Sequence, residues 1–122
     1  MTRKERSVQH EETIARMYYG ERSPSSGAST FQKGDVQVRT TRTSFECKAS
    51  GSPPSDSKAT TITRHMEKIA DEAWTENREP ALALRYFNPH SSLADNDGWV
   101  DLVVRLASDD AEREQAIAWL LG

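Results

Sequence analysis

The sequence of 122 residues contains little cysteine, few glycines and prolines, and no long apolar run. Its single cysteine, Cys47, cannot form an intramolecular disulfide, and this favours a reducing cytoplasm as its location. Cys47 and the histidines are not spaced as ligands of a zinc site. No stretch approaches the length of a membrane span, so no membrane partner is expected. A chain of this length is expected to form a single domain, residues 1–122, around one modest core.

Acidic and basic residues are divided unevenly between the two halves of the chain. Residues 1–64 contain eleven Lys and Arg against seven Asp and Glu, a net charge of +4. Residues 65–122 contain five against twelve, a net charge of −7, so the whole chain carries −3. A basic half beside an acidic half suits a one-sided contact with DNA, although uneven surface charge without a function is an equally good interpretation.

Two short segments with alternating apolar residues, 34–38 and 45–49, predict a β-hairpin with a polar tip between them. Side chains two apart on a strand share a face, so Glu46 and Lys48 are expected to point away from the core together. Asp35 begins the first strand, where the register would bring its carboxylate beside that of Glu46. The hairpin is therefore expected to gather two carboxylates and an ammonium in one small site.

These charged groups suit a site for a hard divalent cation. Acidic oxygens from Asp35 and Glu46, together with the Cys47 backbone carbonyl, fit Mg2+ or Mn2+, which keeps several waters. Lys48 beside them would orient or deprotonate one of those waters, or stabilise charge that develops on a phosphate. The alternative is a solvated hairpin with an exposed Glu and Lys, and the motif in isolation favours that alternative.

The spacing of Asp35 and Glu46-Cys47-Lys48 resembles the motif of the PD-(D/E)xK nuclease superfamily. Two further elements precede the motif. Glu11 lies on the apolar stripe of a helix predicted from Val8 to Tyr19, and Ser26-Gly27 lies in a polar loop. In this order the elements are most similar to archaeal-type Holliday junction resolvases and related phage nucleases. The resemblance implies an α/β, restriction-endonuclease-like fold, with a mixed β-sheet flanked by helices, and metal-dependent cleavage of branched DNA.

The resemblance also implies roles for residues outside the hairpin. Glu11 is expected to assist the metal directly or through water, and Ser26 to place a hydroxyl beside the scissile phosphate. Glu12 on the same helix is turned aside, so Glu11 is preferred. Resolving a four-way junction takes two symmetry-related cuts, which a homodimer would supply. A nuclease of other double-stranded or branched DNA, and a nucleic-acid-binding module without catalysis, are the alternatives.

Basic side chains are expected to hold DNA through its phosphates. A flexible basic arm is predicted for residues 1–6, followed by a helix that Ser7 caps. The predicted contacts come from this arm, the hairpin tip and the segments around the site: Arg3, Lys4, Arg6, Lys33, Arg39, Arg42, Lys58 and Arg64.

The rest of the chain predicts two helices, two strands and a turn. The acidic run at 95–98 lacks the ligand spacing of an EF-hand loop and is interpreted as a turn. The other elements follow from apolar periodicity: a helix over 62–77 closed by Pro80, strands over 81–87 and 99–105, and a final helix that Ser108 caps and whose apolar residues, Ile117, Leu120 and Leu121, face inward.

Overall fold

The computed structural model describes residues 2–23, 34–51 and 59–122. In this part of the chain an α/β fold contains one mixed sheet in the strand order β1-β2-β3-β4-β5 and three helices, so the expected architecture is confirmed at this level. None of the described helices has both the length and the apolar character needed to span a membrane. The elements in chain order are α1 (Arg3–Met17), β1 (Glu21–Arg22), β2 (Val36–Val38), β3 (Thr43–Ser50), α2 (Ala59–Thr75), β4 (Glu79–Phe87), β5 (Trp99–Arg105) and α3 (Ala107–Leu121).

The sheet combines a hairpin with a parallel crossover. β2 pairs antiparallel with β3 in a register that places Val36 opposite Phe45. α2 follows β3 in the chain, β4 then lies parallel to β3, and β5 returns antiparallel to β4. The strands predicted at 81–87 and 99–105 are confirmed. Pro80, which was expected to close the preceding helix, instead lies at the second position of β4, near the strand end where its missing N–H is tolerated.

Each face of the sheet has its own small apolar core. On one face, Ile14 of α1 packs with Phe45 and Ala83, and each of these side chains is at most 1% exposed. On the other face, Met66 of α2 packs with Leu82. Burying a side chain such as Phe45 stabilises the fold by about 1.5–3 kcal/mol. A slip of one residue in the hairpin would turn Phe45 to the opposite face, so this burial fixes the register.

Helix α1 begins earlier than the predicted cap at Ser7. Thr2 is its N-cap: the Thr2 hydroxyl accepts from the Glu5 backbone N–H at 3.1 Å, and the Glu5 carboxylate accepts from the Thr2 backbone N–H at 3.4 Å. This capping box satisfies two N–H groups that the first turn would leave unpaired. The predictions of a flexible arm over residues 1–6 and of a Ser7 cap are therefore wrong for the described residues, because most of that segment is helical.

Helix α3 lies apart from both cores. Its N-cap is Leu106, which makes no capping side-chain bond, so the prediction of a Ser108 cap is wrong. None of its residues is buried. The expected inward stripe is also wrong, because Ile117, Leu120 and Leu121 are 50%, 74% and 84% exposed.

A polar contact anchors the middle of α3 to the sheet. The Arg113 guanidinium donates to Glu79 Oε2 and to Thr43 Oγ1, both at 2.7 Å. Glu79 and Thr43 stand opposite each other where β4 and β3 begin. The helix is therefore held at that end of the sheet while the apolar side chains of its last turn stay exposed.

The acidic run between β4 and β5 forms a turn, as predicted. Asp95 Oδ1 accepts from the backbone N–H groups of Asp97 and Trp99, each at 2.9 Å. Gly98 completes the turn with a φ of 87°, a conformation that glycine adopts without strain. Turn chemistry therefore explains the acidic run.

Candidate active site

The turn before β2 places Asp35 against the backbone of β3. The Asp35 N–H donates to the Phe45 carbonyl at 2.8 Å, and Asp35 Oδ2 accepts from the Cys47 N–H at 2.8 Å. Gly34 permits this approach, because its φ is 84° and a Cβ at this position would collide with Ser44 Oγ. The hairpin therefore fixes the Asp35 carboxylate beside the segment that carries Glu46.

Glu46 and Lys48 extend from the same face of β3 and form an ion pair. Lys48 Nζ lies 3.4 Å from Glu46 Oε1, and the two side chains are 44% and 19% exposed. Phe45 and Cys47 alternate with them and belong to the apolar core under α1, as predicted. A partly buried carboxylate thus stands beside an ammonium that solvent and a ligand can reach.

Helix α1 contributes Glu11 to the same region. The Glu11 side chain is 18% exposed and that of Glu12 is 59% exposed, so Glu11 is the inward carboxylate of the two, as predicted. Arg22 in β1 donates from Nε to Glu11 Oε1 at 3.2 Å. Sequence reasoning missed Arg22, because nothing in a local pattern shows that β1 lies beside α1.

Negative charge concentrates around Asp35. Burial raises the pKa of Glu46, and the nearby Asp35 carboxylate raises it further. Burial and then Asp35 also raise the pKa of Glu11. The cation paired with each glutamate opposes these shifts only in part. Because Asp35 acts on both glutamates, it is the central carboxylate of the three.

The chemistry of these donors suits a divalent cation. Mg2+ is commonly held by one or two carboxylates together with waters and phosphate oxygens. Asp35 and Glu46 supply two carboxylates, and a cation between them would relieve the repulsion that, after burial, raises the pKa of Glu46. Burial raises the pKa of the Cys47 thiol, so Cys47 can contribute its backbone carbonyl but not a thiolate.

The predicted carboxylates do not form a closed cage. Among the described residues, a different trio brings three ligand oxygens within 4.8 Å of one another, namely Glu79, Asp109 and Glu112. This trio lies where β4 begins, and Arg113 already supplies a positive charge there, 2.7 Å from Glu79. By this measure the structure does not bring the oxygens of Glu11, Asp35 and Glu46 together as a metal-binding group.

The hairpin tip lies away from the candidate site. Arg39 and Arg42 are exposed beside the beginning of β3, and Arg42 Nε donates to the Asn77 carbonyl at 3.0 Å. Lys48 lies near the other end of β3. The structure thus does not bring the tip arginines next to the predicted catalytic lysine.

The start of α1 lies nearer the end of β3 that carries Lys48. The Arg6 guanidinium approaches Gly51, just beyond β3, and Arg3 and Lys4 are exposed on the first turn. Arg64 is also exposed, on α2. The remaining predicted site residues, Ser26, Lys33 and Lys58, lie outside the described residues.

His10 and Arg85, two polar residues buried beneath α1, were not identified from the sequence. His10 is fully buried, and burial together with the nearby charge of Arg85 lowers its pKa to about 4. Arg85 forms ion pairs with Asp101 at 3.1 Å and Asp95 at 3.7 Å. The available signal was the position of His10 four residues before Ile14, on the inner stripe of α1.

Comparisons of this chain with protein-family models, curated proteins and solved structures found no match. The resemblance to PD-(D/E)xK nucleases therefore rests on the motif residues of the sequence alone. The arrangement described above is the basis for assigning a function.

Proposed function

We propose that this chain is a metal-dependent DNA endonuclease of the PD-(D/E)xK type that hydrolyses phosphodiesters in branched DNA. Holliday junction resolution in a reducing cytoplasm is the specific reaction proposed. One observation carries the proposal: a 2.8 Å hydrogen bond from the Cys47 N–H fixes the Asp35 carboxylate against β3, and Lys48 on the same strand lies 3.4 Å from Glu46. The mixed sheet with its helices is compatible with a restriction-endonuclease-like fold.

In this proposal Asp35, Glu46 and the Cys47 backbone carbonyl hold Mg2+ or Mn2+. The bound ion supplies a Lewis acid beside the scissile phosphate. Glu11 assists from α1, directly or through water, and Arg22 orients it through the 3.2 Å hydrogen bond. Concentrated negative charge in a partly buried site supports this assignment, because a divalent cation would remove the repulsion.

Lys48 is the group that acts on water or on phosphate. Its ammonium is held 3.4 Å from Glu46 Oε1 and remains 44% exposed, so it can contact a phosphate without rearrangement of β3. In this position it orients the attacking water or stabilises the charge that develops on the phosphate oxygens. The exposed basic groups at the start of α1, Arg3 and Lys4, hold the DNA backbone near the end of β3 that carries Lys48.

A charge-matched set of variants tests the site. Asp35→Asn and Glu46→Gln should abolish cleavage and leave DNA binding intact or tighter, because a negative charge near phosphate is removed. Glu12→Gln is the control: it neutralises a carboxylate on the same helix that is 59% exposed and contacts Arg22 only at 3.9 Å. Normal cleavage by Asp35→Asn would contradict the metal-ligand assignment.

The proposed enzyme is a homodimer, since one small domain has one site and a junction needs two cuts. Light scattering should give twice the 13.7 kDa mass of the chain. Binding should weaken steeply with salt and should favour a junction over its linear arms. Equal cleavage of linear duplex would identify a nuclease of other DNA, and binding without cleavage in any metal would identify a non-catalytic module.

A further inference from the structure

Strand β5 forms an open edge of the sheet. It is the last strand in the sheet order and pairs with β4 on one side. In the described part of the chain, α1 packs chiefly on β1, β2 and β3, and α2 on β3 and β4, so β5 has the least helical cover. Edge strands are usually protected by charged side chains, especially lysine, by proline or by a covering element, because they present unpaired N–H and C=O groups. The β5 sequence, Trp-Val-Asp-Leu-Val-Val-Arg, has neither lysine nor proline.

We propose that β5 pairs antiparallel with β5 of a second copy of this chain, about a two-fold axis at Val103. The two five-stranded sheets then become one continuous sheet of ten strands. This inference names the surface through which the proposed homodimer forms, and the pairing itself does not depend on catalysis.

The charges along β5 are self-complementary in this register. Residues at equal distances from the axis face each other, so Asp101 of each copy lies opposite Arg105 of the other. Asp101, Val103 and Arg105 alternate along one face of the strand, the face that packs toward α1. Opposite charges directly across an antiparallel pair are stabilising, and this register forms two such pairs by symmetry.

In the single chain both charged side chains lean inward over their own sheet, and neither forms its ion pair at the outer edge of β5. The Arg105 guanidinium lies over the rings of Phe45 and Tyr18, at 5.6 and 6.0 Å, and forms no ion pair with any described residue. Its Nη1 is buried and has no hydrogen-bond partner there. Asp101 contacts Arg85 through Oδ1, so Oδ2 is available to the incoming arginine. The opposite charges of Asp101 and Arg105 at matching positions favour a second copy over an unrelated strand, and Arg105 would turn outward from the Phe45 and Tyr18 rings to reach the partner.

The other face of β5 supplies apolar contacts in the same register. Leu102 of each copy lies opposite Val104 of the other. Leu102 is 40% exposed in the single chain, and Val104 packs only partly against the core under α2. Cross-strand pairing would remove the exposed part of Leu102 from water.

This dimer would also place both candidate sites on one side. Antiparallel pairing within a sheet puts the two-fold axis perpendicular to the sheet, so equivalent faces of both copies point the same way. Five strand spacings of about 4.8 Å separate the two β3 strands, roughly 24 Å in all. This consequence for junction cleavage rests on the proposed function, whereas the pairing itself does not.

Light scattering on matched lysine variants, without DNA or metal, tests the pairing. Leu102→Lys should reduce the mass from twice 13.7 kDa to 13.7 kDa. Leu93→Lys is the control, an exposed apolar residue in the loop before β5, and it should keep the dimer mass. Leu120→Lys, which changes an exposed residue of α3, should also keep the dimer mass. A monomeric wild type at all concentrations, or a dimer that Leu120→Lys splits and Leu102→Lys does not, would overturn the proposal.

Charge reversal tests the register. Arg105→Glu and Asp101→Arg should each be monomeric alone, because each sets like charges opposite one another. An equal mixture of the two variants restores both ion pairs and should recover the dimer mass. Hydrogen exchange gives a second measurement: outward β5 amides of the wild type should lose protection on dilution, while β4 amides keep theirs and report intact folding. If the mass halves on dilution while hydrogen exchange of the β5 amides stays unchanged, β5 is not the dimer interface.

Discussion

Asp35→Asn should stabilise the metal-free protein while it abolishes cleavage. The wild-type carboxylate is repelled by Glu11 and Glu46, whose pKa values are raised first by burial and then by the charge of Asp35. It also accepts a hydrogen bond from the Cys47 N–H at 2.8 Å. An asparagine keeps an oxygen for that bond but removes the charge, so the variant exchanges two repulsions for a somewhat weaker hydrogen bond.

The relief of the two repulsions and the weakening of the hydrogen bond from Cys47 differ in size. Unit charges about 6 Å apart at an effective dielectric of about 20 interact by about 3 kcal/mol. The glutamate side chains are 18% and 19% exposed. After allowance for their exposure and their own cation partners, relief of both repulsions is worth about 2 kcal/mol. Replacing a charge-assisted hydrogen bond by a neutral one costs about 1 kcal/mol. The net gain of about 1 kcal/mol corresponds to a rise of about 3–5 °C in Tm for a chain of this length.

The stability that Asp35→Asn gains over the wild type should decrease as the pH falls. A carboxyl whose folded pKa is raised destabilises the fold above that raised pKa and has no such effect below the unfolded value of 4.5. The wild type should therefore recover relative stability as the pH falls toward 4.5, and the advantage of Asp35→Asn should shrink. On the proposed metal assignment, Mg2+ should stabilise the wild type more than the variant, because a ligand that binds only the folded chain stabilises it.

Urea unfolding in EDTA at pH 7.5 and at pH 4.5, and in Mg2+ at pH 7.5, measures all three effects. Glu12→Gln serves as the control for removal of one negative charge from the same region. If Asp35→Asn were less stable than the wild type at pH 7.5 by more than about 1 kcal/mol, the hydrogen bond to Cys47 would outweigh the repulsion, and the reasoning would be refuted.

Three further predictions follow from single contacts. Lys48→Ala should lower turnover about a hundred- to a thousand-fold with little change in DNA affinity; an equal loss of affinity with unchanged saturated turnover would make it a phosphate anchor only. The wild type should lose up to about 3 kcal/mol of stability as the pH falls from 6.5 to about 4, because the lowered pKa of His10 makes its protonation favour the unfolded chain. His10→Leu should flatten this part of the pH profile, and an unchanged slope would assign it to other groups. Thr2→Ala should cost about 1 kcal/mol in chemical denaturation through loss of the α1 cap; no measurable change would show that the first turn does not contribute to stability.

Local patterns predicted the elements that bury a regular face. The alternation around Phe45 gave the hairpin, and apolar spacing gave α2 with its buried Met66. The strand at 99–105 was also found to the residue. In each case a side chain that repeats at the period of its element has a surface to pack against, so sequence period and burial agree.

The sequence-based predictions were wrong where packing against residues distant in the sequence determines the structure. The stripe on α3 has helical spacing, but periodicity cannot show that the sheet ends before Leu120 is covered. The early start of α1 was readable, since Thr2 and Glu5 have the spacing of a capping box. Arg22 was not readable as a partner of Glu11, because their contact depends on how β1 lies against α1. The candidate site was predictable as a set of residues on one hairpin, whereas the groups that hold it in place come from elsewhere.

Cleavage of a labelled four-way junction tests the central claim most directly. The wild type and Asp35→Asn would be incubated with the junction and with a matched linear duplex, each in Mg2+ and in EDTA. We expect paired, symmetry-related nicks in the junction by the wild type in Mg2+, little cleavage of the linear duplex, and none in EDTA or by Asp35→Asn, which should still bind. Junction cleavage that persists in EDTA or in Asp35→Asn, or no cleavage by the wild type with Mg2+ or Mn2+, would contradict the account.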